Sequence, residues 1–297
     1  MDDVREAVRR EVPMGPWVFP LLSLLLLAAA GCSKAILKPV RFPGAVPDAP
    51  PLAGLLSRPA GAGTFPALVL LHGCGGMYGK SGRLSARQRA WDDALRREGF
   101  VTLHVDSFTP RDVSEVCTVK DRPVSVWNDR RPDAYAALSF LRSLPFVRPD
   151  AVAVMGWSMG GLTVLAAMER GEGSPVRGFY AGVALYPGCR LAQRGEPRPS
   201  GPLLMLLGEA DDWTPPERCG PVVADARGRG ETVEVESYPG AFHGFDQPGN
   251  KVHLRSGLAK VQGGSAHVGE NPEARRDALK RVPEFLKRHL PSTSPPP

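Results

Sequence analysis

The chain has 297 residues, of which 42% are hydrophobic and 23% are charged, a composition ordinary for a globular protein. A chain of this length can bury a substantial core without help from disulfides or metals. The formal net charge is +6, but the basic residues are scattered and form no stripe interleaved with aromatic residues. The charge pattern therefore argues against nucleic-acid binding.

The N-terminal segment has the pattern of an export signal. Three arginines precede an apolar run over residues 17–30, which is short for a membrane span but typical of a signal-peptide core. The run ends in small residues before Cys32, as in a bacterial lipobox, where the cysteine is acylated. We therefore expect a lipoprotein-type signal peptide over residues 1–31. The mature protein would be exported and anchored to a membrane through Cys32, facing the periplasm or cell surface. An ordinary cleaved signal and a true anchor helix are the alternatives.

The rest of the chain divides into a tether, a domain and a tail. Residues 32–44 are predicted to be a tether, and residues 291–297 a disordered tail. Between them, residues 45–290 alternate apolar runs with helical patterns. Strands are predicted over 67–71, 101–105, 151–155, 181–185, 203–207 and 232–237, and helices over 85–98, 133–144, 162–169, 224–230 and 271–290. Strands alternating with helices predict an α/β fold, with a mostly parallel sheet covered on both faces.

The strongest chemical signal lies where a predicted strand runs into a predicted helix. Residues 156–160 read Gly-Trp-Ser-Met-Gly, directly after an apolar strand. A serine on such a sharp turn tolerates only small neighbours, and its hydroxyl stands exposed above the sheet. The free N–H groups at the start of the following helix favour an oxyanion. The pattern predicts that Ser158 is a nucleophile; a plain glycine-rich turn is the alternative.

A second glycine-rich turn, residues 72–76, reads His-Gly-Cys-Gly-Gly after an earlier strand. Its glycines allow the backbone to approach a ligand closely. A tetrahedral intermediate needs two N–H donors directed at its oxygen. We expect the backbone amides of Cys74 and Met159 to supply them. The alternative is a structural turn, and His72 itself is expected to be structural.

A serine nucleophile needs a general base and an acid that orients the base. In hydrolases that carry this turn, the chain order is serine, acid, histidine. Asp211 and Asp212 follow an apolar strand, and the spacing to a preceding glycine and a following proline favours Asp211. His243 lies in a loop after the last predicted strand, a position that no other histidine shares. The sequence therefore predicts the triad Ser158, Asp211 and His243.

Four segments together resemble the dienelactone hydrolase family: residues 72–76, 156–161, 211–215 and 238–245. The resemblance covers about residues 45–290 and implies an α/β-hydrolase fold without a cofactor. It also implies hydrolysis of small-molecule esters or lactones. Dienelactone hydrolases proper carry a cysteine nucleophile, whereas Ser158 occupies that position here. We therefore expect a serine-dependent hydrolase of carboxylic esters or lactones that acts through an acyl-enzyme intermediate.

Two other functions remain open on sequence alone. An exported binding protein could use a catalytically idle hydrolase fold, because fold does not fix function. All three triad positions are filled, which favours the enzyme over that alternative. A serine peptidase would use the same triad.

Four cysteines besides Cys32 would be exported with the chain. None has the close spacing of a zinc site, so no metal is expected. All four follow strand ends, and the loops after parallel strands emerge at one edge of a sheet. We therefore predict the disulfides Cys74–Cys117 and Cys189–Cys219 around the catalytic mouth. Four buried free thiols are the alternative.

Overall fold

A computed structural model describes residues 37–44, 50–169, 178–189 and 199–291. All of these residues belong to one unit, Ala35–Pro297. The expected signal peptide and Cys32 lie outside the described residues, and so does the predicted tail beyond Pro291. No helix in the described ranges is both long enough and apolar enough to cross a bilayer.

An eight-stranded sheet runs through the middle of the domain in the order β1-β2-β4-β3-β5-β6-β7-β8. Its strands are β1 (Lys38–Phe42), β2 (Leu52–Ser57), β3 (Phe65–Leu71), β4 (Val101–Asp106), β5 (Val147–Trp157), β6 (Gly182–Leu185), β7 (Leu203–Gly208) and β8 (Val233–Tyr238). Strand β2 is antiparallel to both of its neighbours, and every other pair is parallel. The predicted mostly parallel α/β sheet is confirmed.

Five described helices cover the two faces of the sheet: α1 (Ala86–Arg97), α2 (Arg131–Arg142), α3 (Met159–Met168), α4 (Gly220–Gly228) and α5 (Pro272–His289). Helices α1 and α5 contribute to the core on one face, and α2, α3 and α4 to the core on the other. Because both faces are covered, the inner strands are apolar along most of their length. Strand β7, for example, is buried at all of its positions.

The helix starts follow from local chemistry. The side chain of Ser85 accepts a hydrogen bond from the Gln88 amide at the start of α1. Asn271 accepts hydrogen bonds from two amides at the start of α5, where Pro272 occupies the first turn. These caps satisfy amides that have no partner inside the helix. Both helix starts therefore lie where the sequence predicts them.

The tether predicted over residues 32–44 is wrong in its last part, because residues 38–42 form β1. This strand pairs along its whole length with β2. Phe42 is only 3% exposed, and its ring stacks on Phe140 of α2 with centroids 4.9 Å apart. A five-residue edge strand among prolines and glycines gives too short a pattern for its bounds to be predicted from the sequence. The sheet therefore begins before residue 45.

A second small sheet lies between the loop of His243 and α5, where the sequence predicts no element. Strands β9 (His253–Ser256) and β10 (Ser265–Val268) form an antiparallel hairpin. The amide of Ala259, between these strands, donates to the carbonyl of Cys117 over 3.1 Å. Val268 pairs with His243 in an isolated parallel bridge. The hairpin therefore contacts the same sheet edge as the predicted site.

Candidate active site

Ser158 lies on the sharp turn between β5 and α3. Its backbone has φ 55° and ψ −115°, a combination that costs a non-glycine residue on the order of 1–3 kcal/mol. The flanking glycines leave no room for side chains. A Cβ at Gly156 would lie 2.3 Å from the Gly160 carbonyl oxygen, and one at Gly160 would lie 2.0 Å from the Leu71 carbonyl oxygen. The sequence motif therefore reports a packing requirement of this turn.

His243 reaches Ser158 from the loop after β8. Its Nε2 is 3.0 Å from the Ser158 hydroxyl oxygen. The imidazole packs against two aromatic rings, with the centroids of Tyr186 at 4.7 Å and Trp213 at 4.6 Å. Its backbone carbonyl accepts the Gly269 amide over 3.1 Å. These contacts fix a buried imidazole at hydrogen-bond distance from the hydroxyl.

Asp211 holds the other nitrogen of the imidazole. Its Oδ2 is 2.8 Å from Nδ1 of His243. Its Oδ1 accepts the backbone amides of Trp213 and Thr214 over 2.9 and 2.8 Å, and the Thr214 hydroxyl donates to Oδ2 over 2.9 Å. An ionised carboxylate can only accept, so Nδ1 carries the proton and Nε2 is free to accept from Ser158. This tautomer is the one that a general base requires.

Asp212 makes different contacts. Its carboxylate accepts the backbone amide of His267 over 2.8 Å and pairs with Nδ1 of the same histidine over 2.8 Å. Both side chains are 45% exposed. The structure therefore brings Asp211, and not Asp212, to the predicted base. Asp212 instead ties the acid loop to the β9–β10 hairpin.

The second glycine-rich turn lies against the serine turn. A Cβ at Gly73 would be 3.3 Å from the Trp157 carbonyl oxygen and 3.5 Å from the Cβ of Ser158. The amide of Met159 begins α3 and so has no acceptor within the helix. The carbonyl of Cys74 accepts the Val116 amide over 2.8 Å. Both residues predicted to stabilise an oxyanion therefore belong to turns that meet at Ser158.

His72 supports this turn from below, as the sequence predicts for a structural residue. Its Nδ1 donates to the Gly73 carbonyl over 2.8 Å, and Nε2 accepts the Ser107 amide over 3.4 Å. Burial, reinforced by the charge of Arg130, lowers the pKa of His72 well below its usual value. The imidazole is therefore neutral at pH 7. Both of its ring nitrogens are engaged with backbone groups of neighbouring segments.

Sequence reasoning missed Arg130, which is completely buried beneath the same turn. Its guanidinium donates to the His72 carbonyl over 2.6 Å and lies 5.4 Å from the centroid of the Phe108 ring. Burial lowers the pKa of Arg130 to about 10, so the group stays charged at neutral pH. In the sequence, Arg130 is simply an arginine at the end of a polar stretch before α2. Nothing local distinguishes it from a solvated arginine.

Both predicted disulfides are present. Cys74 is bonded to Cys117, and Cys189 to Cys219, with Cα atoms 5.0 and 5.1 Å apart. The first joins the glycine-rich turn to the segment after β4. The second joins the segment after β6 to the 3₁₀ turn Pro216–Cys219, which follows the acid loop. The prediction succeeded because all four loops lie at the same edge of the sheet.

The described part of the chain contains no group of three or more His, Cys, Asp or Glu side chains placed to hold a metal ion. A serine hydroxyl can pass its proton to the imidazole as it attacks, while the carboxylate stabilises the resulting imidazolium.

Comparison with known proteins assigns the chain to a family. The model described as "Dienelactone hydrolase family" matches residues 52–290. The chain belongs to the dienelactone hydrolase family. A Bradyrhizobium sp. protein named "Probable 2-oxo-3-(5-oxofuran-2-ylidene)propanoate lactonase" is 24% identical over 220 residues, covering 71% of this chain and 84% of that protein. A Synechocystis sp. protein assigned as a carboxymethylenebutenolidase is 22% identical over 260 residues, covering 80% of this chain and 92% of that protein.

Solved structures agree on the fold of this dienelactone hydrolase family member. Esterase 2 of Thermogutta terrifontis superposes with a TM-score of 0.60 at 20% identity, covering 88% of this chain and 97% of the esterase. Such a likeness shows the α/β-hydrolase fold and no more. Family membership adds the reaction class. The protein is a carboxylic ester hydrolase that acts on small molecules.

Proposed function

We propose that this hydrolase cleaves carboxylic esters or lactones through an acyl-enzyme formed on Ser158. The observation that carries the proposal is the line of contacts at the sheet edge. The Ser158 hydroxyl is 3.0 Å from Nε2 of His243, and Nδ1 of that ring is 2.8 Å from Asp211. These separations are within the reach required of a nucleophile, a base and an orienting acid.

In the proposed mechanism, the Ser158 oxygen attacks the substrate carbonyl carbon as His243 takes the hydroxyl proton. The carbonyl oxygen becomes an oxyanion, which accepts hydrogen bonds from the amides of Cys74 and Met159. Each such donor contributes on the order of 10²–10³ in rate. The intermediate collapses, and the leaving alkoxide takes the proton from His243. From a lactone, this alkoxide remains part of the acyl group. Water, with His243 again as the base, then attacks the carbonyl carbon of the acyl-enzyme by the same steps, which releases the carboxylic acid and frees Ser158.

The nucleophile here is an oxygen, because Ser158 occupies the position at which dienelactone hydrolases proper carry a cysteine. A serine hydroxyl is a weak nucleophile and depends on an adjacent base. Asp211 supports that base with a carboxylate that accepts two backbone amides and the Thr214 hydroxyl. The complete base and acid pair is what a hydroxyl nucleophile requires.

The test is Ser158→Ala in the purified protein, assayed with aryl esters of increasing acyl length. The variant should fold normally and lose on the order of 10⁴–10⁶ in kcat. A fluorophosphonate probe should label the native protein and not the variant. Ser143→Ala is a suitable control, because this serine is exposed and only caps the carbonyl of Phe140 at the end of α2. Activity of Ser158→Ala within about tenfold of the native protein would refute the proposal.

A substrate panel decides between the reaction classes left open by the sequence. Esters and lactones should turn over faster than any peptide of similar size. A preference for peptide bonds would favour the serine peptidase alternative. Absence of both turnover and fluorophosphonate labelling would favour a binding protein on an idle fold.

We also propose that the chain is exported and anchored through acylated Cys32. The apolar run over residues 17–30 supports export. So do the two disulfides, because such bonds persist in oxidising compartments outside the cytosol. Metabolic labelling with an alkyne fatty acid should mark the native protein and not Cys32→Ser. Equal label on both proteins, or none on the native one, would contradict the anchor.

A further inference from the structure

A buried carboxylate, that of Asp246, accepts three hydrogen bonds and forms one ion pair behind the site. Its Oδ2 accepts the indole N–H groups of Trp91 and Trp157 over 2.7 and 2.8 Å. Its Oδ1 accepts the Tyr186 hydroxyl over 2.6 Å and pairs with Nε of Arg87 at 3.2 Å. Asp246 is 1% exposed, and both indoles and the phenol are equally buried. The carboxylate therefore joins three separate segments of the chain: α1, which carries Arg87 and Trp91, the serine turn, and the segment after β6.

Two of these donors lead directly to the reacting groups. Trp157 is the residue before Ser158 on the strained turn. The ring of Tyr186 packs edge-on against the imidazole of His243, with centroids 4.7 Å apart. The Thr214 hydroxyl oxygen lies 3.1 Å from the Tyr186 carbonyl oxygen and 3.0 Å from Nδ1 of His243. The carboxylate thus bonds both to the residue that precedes the nucleophile and to the ring that packs against the base.

The loop that carries Asp246 is fixed by close contacts with the Arg87 side chain. Gly244, between the base and this carboxylate, has φ +74°, and a Cβ on it would lie 2.9 Å from Nη2 of Arg87. The same Nη2 donates to the Gln247 side chain over 2.9 Å. The guanidinium therefore lies directly under the loop that carries His243. Burial, together with the adjacent Asp246 charge, raises the pKa of Tyr186 far above its usual value, so its hydroxyl remains a donor.

We infer that Asp246 is a positioning residue for the reaction, which sets the separation of Ser158 and His243 through Trp157 and Tyr186. This inference rests on the proposed function. The carboxylate touches no reacting atom and exchanges no proton. It acts by holding two elements of the site at fixed positions on one rigid acceptor, and misplacement of reacting groups by about 1 Å can cost on the order of 10²-fold in rate.

The first test is Asp246→Asn, which keeps the shape of the side chain. An amide has one accepting oxygen in place of two, so at least one donor loses its partner and Arg87 loses its counter-ion. We expect kcat to fall on the order of 10–100-fold with KM within about threefold of the native value. The rate of inactivation by a fluorophosphonate should fall by the same factor, because that reaction reports on the serine and base alone.

The second test is Tyr186→Phe, which removes one hydroxyl and keeps the ring against His243. It should reproduce most of the loss in kcat. The double variant Asp246→Asn/Tyr186→Phe should lie within about threefold of the slower single variant, whereas independent effects would multiply. Where Asp246→Asn fails to fold, Tyr186→Phe alone decides, since it removes no volume beyond one oxygen.

Asp92→Asn is the matched control. Asp92 is also 1% exposed, but its partners, the Thr102 hydroxyl and the His104 ring, belong to β4. This variant should lower the melting temperature and leave kcat unchanged. The inference is overturned if Asp246→Asn, like the control, lowers the melting temperature but leaves kcat unchanged. It is also overturned if Tyr186→Phe keeps the native kcat. These outcomes are separate from failure of the proposed function, which would appear as an active Ser158→Ala.

Discussion

Asp211 and Asp212 are neighbours in the chain, and exchanging either carboxylate for an amide separates their roles. In Asp211→Asn, the backbone amides of Trp213 and Thr214 still require an acceptor, so the amide oxygen faces them. The NH₂ group is then directed at His243. Nδ1 must accept from it, and the ring proton moves to Nε2, which can no longer take a proton from the serine.

The expected magnitude follows from these contacts. A wrong tautomer of this kind costs about 10⁴-fold in kcat, equivalent to about 5.4 kcal/mol of barrier. Asp212 pairs with His267 across a surface where both side chains are 45% exposed. Such an exposed pair is worth about 0–1 kcal/mol. Asp212→Asn should therefore stay within about threefold of the native kcat.

The assay is steady-state hydrolysis of an aryl ester, with melting temperatures measured on both variants. The two substitutions make the same chemical change at adjacent positions, so each controls for the other. Both variants should remain folded. A larger loss of kcat in Asp212→Asn than in Asp211→Asn would refute the assignment of the acid, and equal losses would refute the tautomer argument.

Two further variants test the support of the site. Replacing both Cys74 and Cys117 by alanine opens a loop with a sequence separation of 43, so the free energy of unfolding in urea should fall by about 4 kcal/mol. Unchanged stability would contradict a role for this bond. Gly160→Ala places a Cβ 2.0 Å from the Leu71 carbonyl oxygen, so it should lower the free energy of unfolding by about 1–3 kcal/mol or prevent folding. A melting temperature equal to the native one would show that the turn can relax.

The two disulfides give the site different kinds of support. The acid loop holds its own carboxylate, because Asp211 bonds to amides only two and three residues away. The glycine-rich turn at Cys74 contains few such local bonds and is fixed to the segments around it. Losing Cys74–Cys117 should therefore affect catalysis more than losing Cys189–Cys219.

The sequence by itself determined the parts of this protein that depend on neighbours along the chain. The turn at Ser158 was predictable because a strand, flanking glycines and a helix start are all local signals, and steric exclusion at Gly156 and Gly160 enforces them. The chain order of serine, acid and histidine, with the spacing around the acid, then selected Asp211 and His243 as the candidate partners of Ser158. The disulfide pairs followed from a sheet topology that the alternation of elements had already indicated.

Only the tertiary structure decided which groups support that site. Asp246, Arg87 and Tyr186 come from separate segments, and no spacing in the sequence relates the carboxylate to its four partners. Arg130 looks like any solvated arginine until the fold buries it under the glycine-rich turn. Strand β1 exists because β2 and α2 are there to pair and pack with it. Contacts between distant segments form only when the whole chain is packed, and local sequence patterns therefore do not predict them.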